Sequence, residues 1–186
     1  MPDALILIDQ QEAKEHPKWG PRNNPGAEKS IARLLAAWRA RGWPIIHVRH
    51  DSTYPDSPFR PGQGGNDFSP LTAPLEGETV IAKRVTSAFI GTDLDARLQA
   101  LGRPPLVICG WLLANSVEAT VRVGANLGYE IRLPANACWS CDKRDLTGRL
   151  WLAEDVHQLT LALLNGEYTM ITSVDEIIGS RGGGKG

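Results

Sequence analysis

Short apolar runs alternate with amphipathic stretches along most of this chain of 186 residues. The segments 5–9, 45–50, 79–83 and 106–110 are rich in Ile, Val and Leu, and turn or charged residues bound them. That pattern marks strands covered on both faces. Two weaker segments, 129–133 and 168–172, bring the expected sheet to about six strands. Between the strands, Ile31, Leu34, Leu35 and Trp38 recur at helical spacing over 27–41, and Leu94, Leu98 and Leu101 do so over 93–101. Further helices are expected over 116–127 and 153–164, each closed by a glycine, Gly128 and Gly166. Strands that alternate with helices need crossover connections. The expected class is therefore α/β, a three-layer α/β/α, Rossmann-like architecture around a mostly parallel sheet. Residues 1–179 are expected to form a single domain, with 180–186 a flexible tail or cloning remnant.

In such a sheet ligands bind beyond the carboxyl ends of the strands, where Asp9, His50, Lys83 and Gly110 stand. The stretch 51–77 is too long for a simple connection, and its Pro and Gly content suits an ordered loop over the site.

Composition narrows the function. With 20 Lys plus Arg against 21 Asp plus Glu, the chain has no general pull toward nucleic acid or an anionic membrane, so neither partner is expected. The first apolar run meets Asp9 after a few residues, so neither a leader nor a membrane span is expected there. Three cysteines, an odd number placed late in the chain, suit a reducing, cytoplasmic setting better than a disulfide scaffold. The Cys138-x-x-Cys141 pair has no second pair to complete a zinc site and is read as incidental. His47 and His50, three apart on a strand, point to opposite faces, while His16 and His157 lie elsewhere. No metal and no other cofactor is expected. His47 reads as a packed core histidine.

Three residues could carry chemistry. Asp9 ends an apolar strand, where a desolvated carboxylate can take or hold a proton, although capping of local backbone donors explains it equally well. Lys83 ends a second such strand and could pair with Asp9 and steady a developing negative charge; alone it reads as a solvated lysine. Ser116 follows a strand and the turn at Gly110, at a helix start whose unpaired N–H groups suit an oxyanion. Asn115 or Ser116 could also serve there simply as an N-cap. The coincidence of three strand-end signals favours a site.

These residues carry a resemblance. Leu7-Ile8-Asp9-Gln10, Val80-Ile81-Ala82-Lys83 and Gly110 six residues before Ser116-Val117 resemble the isochorismatase-like cysteine hydrolase superfamily over nearly the whole chain. The segments at 19–25, 47–52, 126–129 and 154–157 look like its streptothricin-hydrolase-like branch, whose members cleave amide or related C–N bonds. The resemblance implies a triad of Asp9, Lys83 and position 116, where the family has Cys and this chain has Ser. It further implies an oxyanion hole from the amides of Leu112 and Ser116, a cis Trp111–Leu112 peptide, and a homodimer or homotetramer. Ser116 is then either a deliberate Cys-to-Ser replacement or a natural variant with altered chemistry. The expected reaction is C–N hydrolysis of a small amide, lactam or ureido compound. The alternatives are vinyl-ether hydrolysis with Asp9 as general acid, or small-molecule binding without catalysis. Trp19, His50, Phe59, Arg84, Trp111 and Trp139 are the expected substrate contacts, with Trp139 equally suited to a subunit interface.

Overall fold

All five residues of strand β1 (Ala4–Ile8) are buried, because this strand has a neighbour along each edge and helices over the sheet. The structure is a computed structural model that describes residues 2–179, and the expected tail at 180–186 lies outside the described residues. Strands β2 (Ile45–His50), β3 (Thr79–Lys83), β4 (Leu106–Gly110) and β5 (Ile131–Pro134) join β1 in one sheet. Its last member follows a small ribbon of β6 (Lys143–Arg144) and β7 (Leu150–Trp151), and is β8 (Met170–Thr172). The order is β3-β2-β1-β4-β5-β8, and every pairing in it is parallel.

The helices are α1 (Ala27–Arg41), α2 (Leu94–Ala100), α3 (Glu118–Asn126), α4 (Ala153–Leu164) and α5 (Val174–Gly179). α1 packs on β1, β2 and β4 and against α5, while α3 packs on β5 and against α4. The apolar stripe of α1 supplies Ile31, Leu34, Leu35 and Trp38 to the core, all essentially inaccessible. Trp38 also donates from Nε1 to the Asp3 carbonyl at 3.0 Å, which satisfies its one polar atom. Among the described residues no helix is long and apolar enough to cross a membrane.

The fold departs from the sequence pattern in four places. β3, expected to be covered on both faces, is an edge strand whose Val80 and Ala82 face solvent. Tyr129 and Tyr168 were expected to open strands, yet their N–H groups donate to Gly124 O (3.1 Å) and Leu164 O (3.0 Å). Both tyrosines thus close helix-ending turns, and the strands begin later. The helix expected from 116 starts at Glu118, after a wide turn over 113–117 in which Val117 N–H reaches the Leu112 carbonyl at 3.2 Å. The β6–β7 ribbon has no apolar alternation to announce it. Asp145 holds its turn instead, accepting from Thr147 N–H (2.9 Å), Arg149 N–H (3.1 Å) and Trp151 Nε1 (2.9 Å).

The strand order reverses between β1 and β4, so the carboxyl ends of these neighbours form the crevice in which open α/β sheets bind ligands. Gly110 closes β4 there with φ +129°, and a Cβ at this position would lie 2.2 Å from the Ile8 carbonyl oxygen. Neither the conformation nor the approach tolerates a side chain. Gly110→Ala is therefore expected to lower stability in urea unfolding by about 2–4 kcal/mol through forced separation of β1 and β4. An unchanged midpoint would show that this contact relaxes freely.

Candidate functional site

β1 ends at Ile8, and Asp9 takes a left-handed backbone (φ +52°) that non-glycine residues seldom adopt. Its N–H donates to Val48 O at 2.8 Å, which anchors the turned-out residue to β2. The Asp9 carboxylate lies against Lys83, whose Nζ donates to Oδ2 at 2.8 Å. Lys83 Nζ also donates to Ser116 Oγ at 3.3 Å. Lys83 and Asp9 are 1% and 2% exposed, so this ion pair stands out of water and each charge depends on the other. The second carboxylate oxygen, Oδ1, is buried with no hydrogen-bond partner in the protein.

Ser116 is held by the wide turn after β4. The Trp111–Leu112 peptide in that segment is cis. Leu113 N–H donates to Trp139 O (2.9 Å), and Asn115 N–H donates to Leu112 O (3.0 Å). The Ser116 carbonyl accepts from Thr120 Oγ1 (2.7 Å), which in turn accepts from Ala88 N–H (3.0 Å). These bonds tie the turn to α3 and to the segment after β3.

Asp9 and Ser116 open onto a cleft of about 350 Å³. Trp19, His50, Phe59, Trp111 and Leu112 also line it, together with Lys18 and Lys143. Phe59 and Trp111 stack with centroids 5.4 Å apart, Trp19 meets Trp111 edge-on at 4.9 Å, and His50 meets Phe59 at 5.7 Å. The result is one continuous aromatic wall. Burial, with the Lys83 charge adding to it, pushes the His50 imidazole below its ordinary range against the pull of Asp9 and Asp51. His50 is therefore neutral at neutral pH.

Two side chains absent from the sequence expectations hold this wall. Gln11 Oε1 accepts from His50 N–H (2.7 Å), while its Nε2 donates to His50 O (3.1 Å) and Asn66 O (2.9 Å). Asn66 Nδ2 donates to His50 O (3.1 Å) and Phe59 O (2.8 Å). The 51–77 loop is thereby fastened to the ends of β1 and β2. Gln11, two residues after Asp9, is marked only by its nearness to that strand end. Asn66 carried no signal beyond the length of its loop.

Two expected contacts are corrected. Arg84 is exposed and does not line the cleft: the chain is extended at the end of β3, so Lys83 points inward and the next side chain points to solvent. Trp139 is fully buried beneath the Arg22 guanidinium, 4.1 Å from its ring centroid. It lies neither in the cleft nor at the surface, and its carbonyl instead anchors the turn that carries Ser116. No cysteine lines the cleft. Burial and the neighbouring Cys138 push the Cys109 thiol well up, burial pushes Cys138 to about 12, and burial raises Cys141. None can serve as a thiolate nucleophile. His47 faces away from His50, its Nε2 2.8 Å from Glu78 Oε2. Among the described residues no group of three His, Cys, Asp or Glu side chains is placed to hold a metal ion.

A family model described as the isochorismatase domain matches residues 3–172. The crystal structure of an isochorismatase-family protein from Chromobacterium violaceum superposes with a TM-score of 0.93 at 50% identity, covering 96% of this chain and 93% of that one. The isochorismatase family protein YrdC of Bacillus subtilis is 35% identical over 175 residues, 94% of either chain. The ureidoacrylate amidohydrolase RutB of Azorhizobium caulinodans is 27% identical over 161 residues, 68% of this chain and 71% of the relative.

The buried imidazoles set a pH dependence. Burial is the largest influence on His47, His50 and His157, and all three lie below the ordinary value of 6.5. Below that value the unfolded chain binds protons that the folded chain refuses, so these groups favour folding above it and lose that contribution as pH falls through their folded values. Urea unfolding is expected to give lower stability at about pH 5.5 than at about pH 7.5. In NMR titrations the three ring signals should move at lower pH than that of a free histidine. Stability that rises on acidification would contradict this assignment.

Proposed function

The chain belongs to the isochorismatase family, and from that premise we propose that its cleft hydrolyses a C–N bond in a small amide, lactam or ureido compound. The observation that carries this reading is the buried Lys83 ammonium, bonded at once to Asp9 and to Ser116 Oγ at the floor of the cleft. The amidohydrolase named among the relatives supports the same bond class.

In this reading position 116 is the nucleophile and Asp9 its proton acceptor. The nucleophile attacks the substrate carbonyl and its proton passes to the carboxylate, while Lys83 keeps both side chains in place. The backbone N–H groups of Leu112 and Ser116 hold the oxyanion of the tetrahedral intermediate. Collapse of that intermediate breaks the C–N bond, and Asp9 returns the proton to the departing amine. Water, deprotonated by the same carboxylate, then attacks the acyl-enzyme; the acid leaves, and Asp9 passes that proton to the released nucleophile, which restores both groups. The unpartnered Oδ1 of Asp9 is the oxygen available for these transfers. The aromatic wall of Trp19, Phe59 and Trp111 holds the flat or apolar part of the substrate, and His50, kept neutral, can accept or donate one hydrogen bond.

The hydroxyl at 116 is the weak link. A thiol with a pKa of about 8.5 gives its proton to a carboxylate at modest cost, whereas a serine hydroxyl is a far weaker acid and usually needs histidine. Each unit of mismatch costs about 1.4 kcal/mol, so a gap of several units removes most of the rate. The same hydroxyl supports a second reading, vinyl-ether hydrolysis with Asp9 as general acid, which needs no nucleophile at 116.

Steady-state kinetics over a panel of amides, lactams, ureides and isochorismate separates the two. Ser116→Cys is expected to raise kcat on at least one C–N substrate by roughly a hundredfold or more, and Asp9→Asn in that background to abolish the gain. Brisk isochorismate turnover by the Ser116 protein, with no gain on any C–N substrate in Ser116→Cys, would establish the second reading instead.

A further inference from the structure

We propose that Lys18 and Lys143 form an anion subsite at the mouth of the cleft, so that the compound it takes is a small acid: a cleavable amide or ureido head, a flat middle and an anionic tail. This inference rests on the reading of the cleft as a C–N hydrolase site and names the substrate class for it.

The charges along the cleft decide the matter. At the floor, Asp9 and Lys83 cancel in one buried ion pair, and His50 beside them is neutral. The floor therefore presents no net charge to a ligand. The mouth differs. Lys18 and Lys143 are exposed and line the same cleft from two separate segments, the loop before α1 and strand β6. Among the described residues neither ammonium has a carboxylate within ion-pair distance. Lys18 Nζ lies 4.5 Å from the centroid of the Trp19 ring, itself part of the aromatic wall, which orients the charge at the cleft edge. Asp56 is the one acidic side chain that shares the mouth with them. Glu15 and Glu28, on the same side of the fold, are neutralised in ion pairs with Arg22 and Lys14, and Asp142 does not line the cleft. Among the side chains that line the mouth, two cations stand against one anion, above a neutral floor.

Between floor and mouth stand the faces of Trp19, Phe59 and Trp111, which accept a planar or apolar segment. The volume of about 350 Å³ is at the small end for ligand pockets and limits the compound to modest size. Lysine acts as a flexible point charge and accepts a carboxylate or a phosphate-type oxygen group alike. The shared chemistry is an anionic oxygen group, held one aromatic segment away from the scissile bond.

The test uses the whole chain and three isosteric probes: para-ureidobenzoate, its neutral carboxamide and the corresponding phosphonate. Calorimetric titration of the Ser116 protein is expected to show at least one anion binding about tenfold more tightly than the carboxamide. The order of the two anions tells a carboxylate tail from a phosphate-type tail. In the Lys18→Met/Lys143→Met double variant the ratio of anion to carboxamide affinity should fall to near unity, and high salt should compress the same ratio in the unmodified protein. Equal binding of acid and carboxamide, a preference that survives in the double variant, or no binding by any probe overturns the proposal. Turnover by Ser116→Cys separates it from the reading beneath it. Cleavage of acid and carboxamide without discrimination overturns the subsite and leaves C–N hydrolysis standing. Discriminating binding without cleavage of any C–N compound supports the anion subsite and overturns the hydrolytic reading.

Discussion

The buried ammonium of Lys83 is the constraint around which this structure is arranged. A charge held out of water costs several kcal/mol unless a counter-charge and further hydrogen bonds meet it. Asp9 meets it at 2.8 Å and Ser116 Oγ adds a second acceptor at 3.3 Å. The sheet order makes the meeting possible. Lys83 ends β3 and Asp9 follows β1, with β2 between them, so the two backbones stand two strand spacings apart, about 9–10 Å. Only a long side chain spans that gap, and the lysine stem does so beyond the end of β2 at His50, its register partner in the sheet.

Everything else at the site serves that contact or surrounds it. The left-handed turn at Asp9 and the bare Gly110 let the ends of β1 and β4 approach, which brings the Ser116 turn over the carboxylate. Gln11 and Asn66 fasten the 51–77 loop so that Phe59 stacks on Trp111 and closes the cleft on one side. The Ser116 hydroxyl, the Asp9 carboxylate and the Lys83 ammonium therefore come from three different strand ends, while the walls come from loops. Such a division between strand ends and loops allows the walls of a cleft to vary while its floor is kept.

The same division explains what could be read from the sequence. Strands β1, β2 and β4 are legible because they are largely buried and show as apolar runs, β3 shows as such a run although Val80 and Ala82 face solvent at the sheet edge, and α1 is legible because its stripe repeats every three or four residues. Asp9, Lys83 and Ser116 were legible because a polar residue directly after a buried run, or at the next helix start, has few reasons to be there. Loop side chains have no such period. Arg84 and Trp139 looked like cleft residues from their nearness to strand ends, but the extended chain turns one outward and core packing encloses the other. Gln11 and Asn66 carry little local signal for the converse reason: their contacts span the fold, with Gln11 bonded to Asn66 across 55 positions.

The central claim is that Lys83 and Asp9 activate whatever nucleophile stands at 116. It can be tested without knowing the substrate, because Cys109, Cys138 and Cys141 are buried with raised pKa values and should stay silent toward a thiol reagent. The measurement is the rate of iodoacetamide labelling of the Ser116→Cys variant near neutral pH, with the modified residue located by mass spectrometry. The account predicts labelling at position 116 alone, about tenfold or more faster than free cysteine, and a loss of that acceleration in Lys83→Met. Labelling at the free-cysteine rate, or a rate that Lys83→Met leaves unchanged, would contradict it.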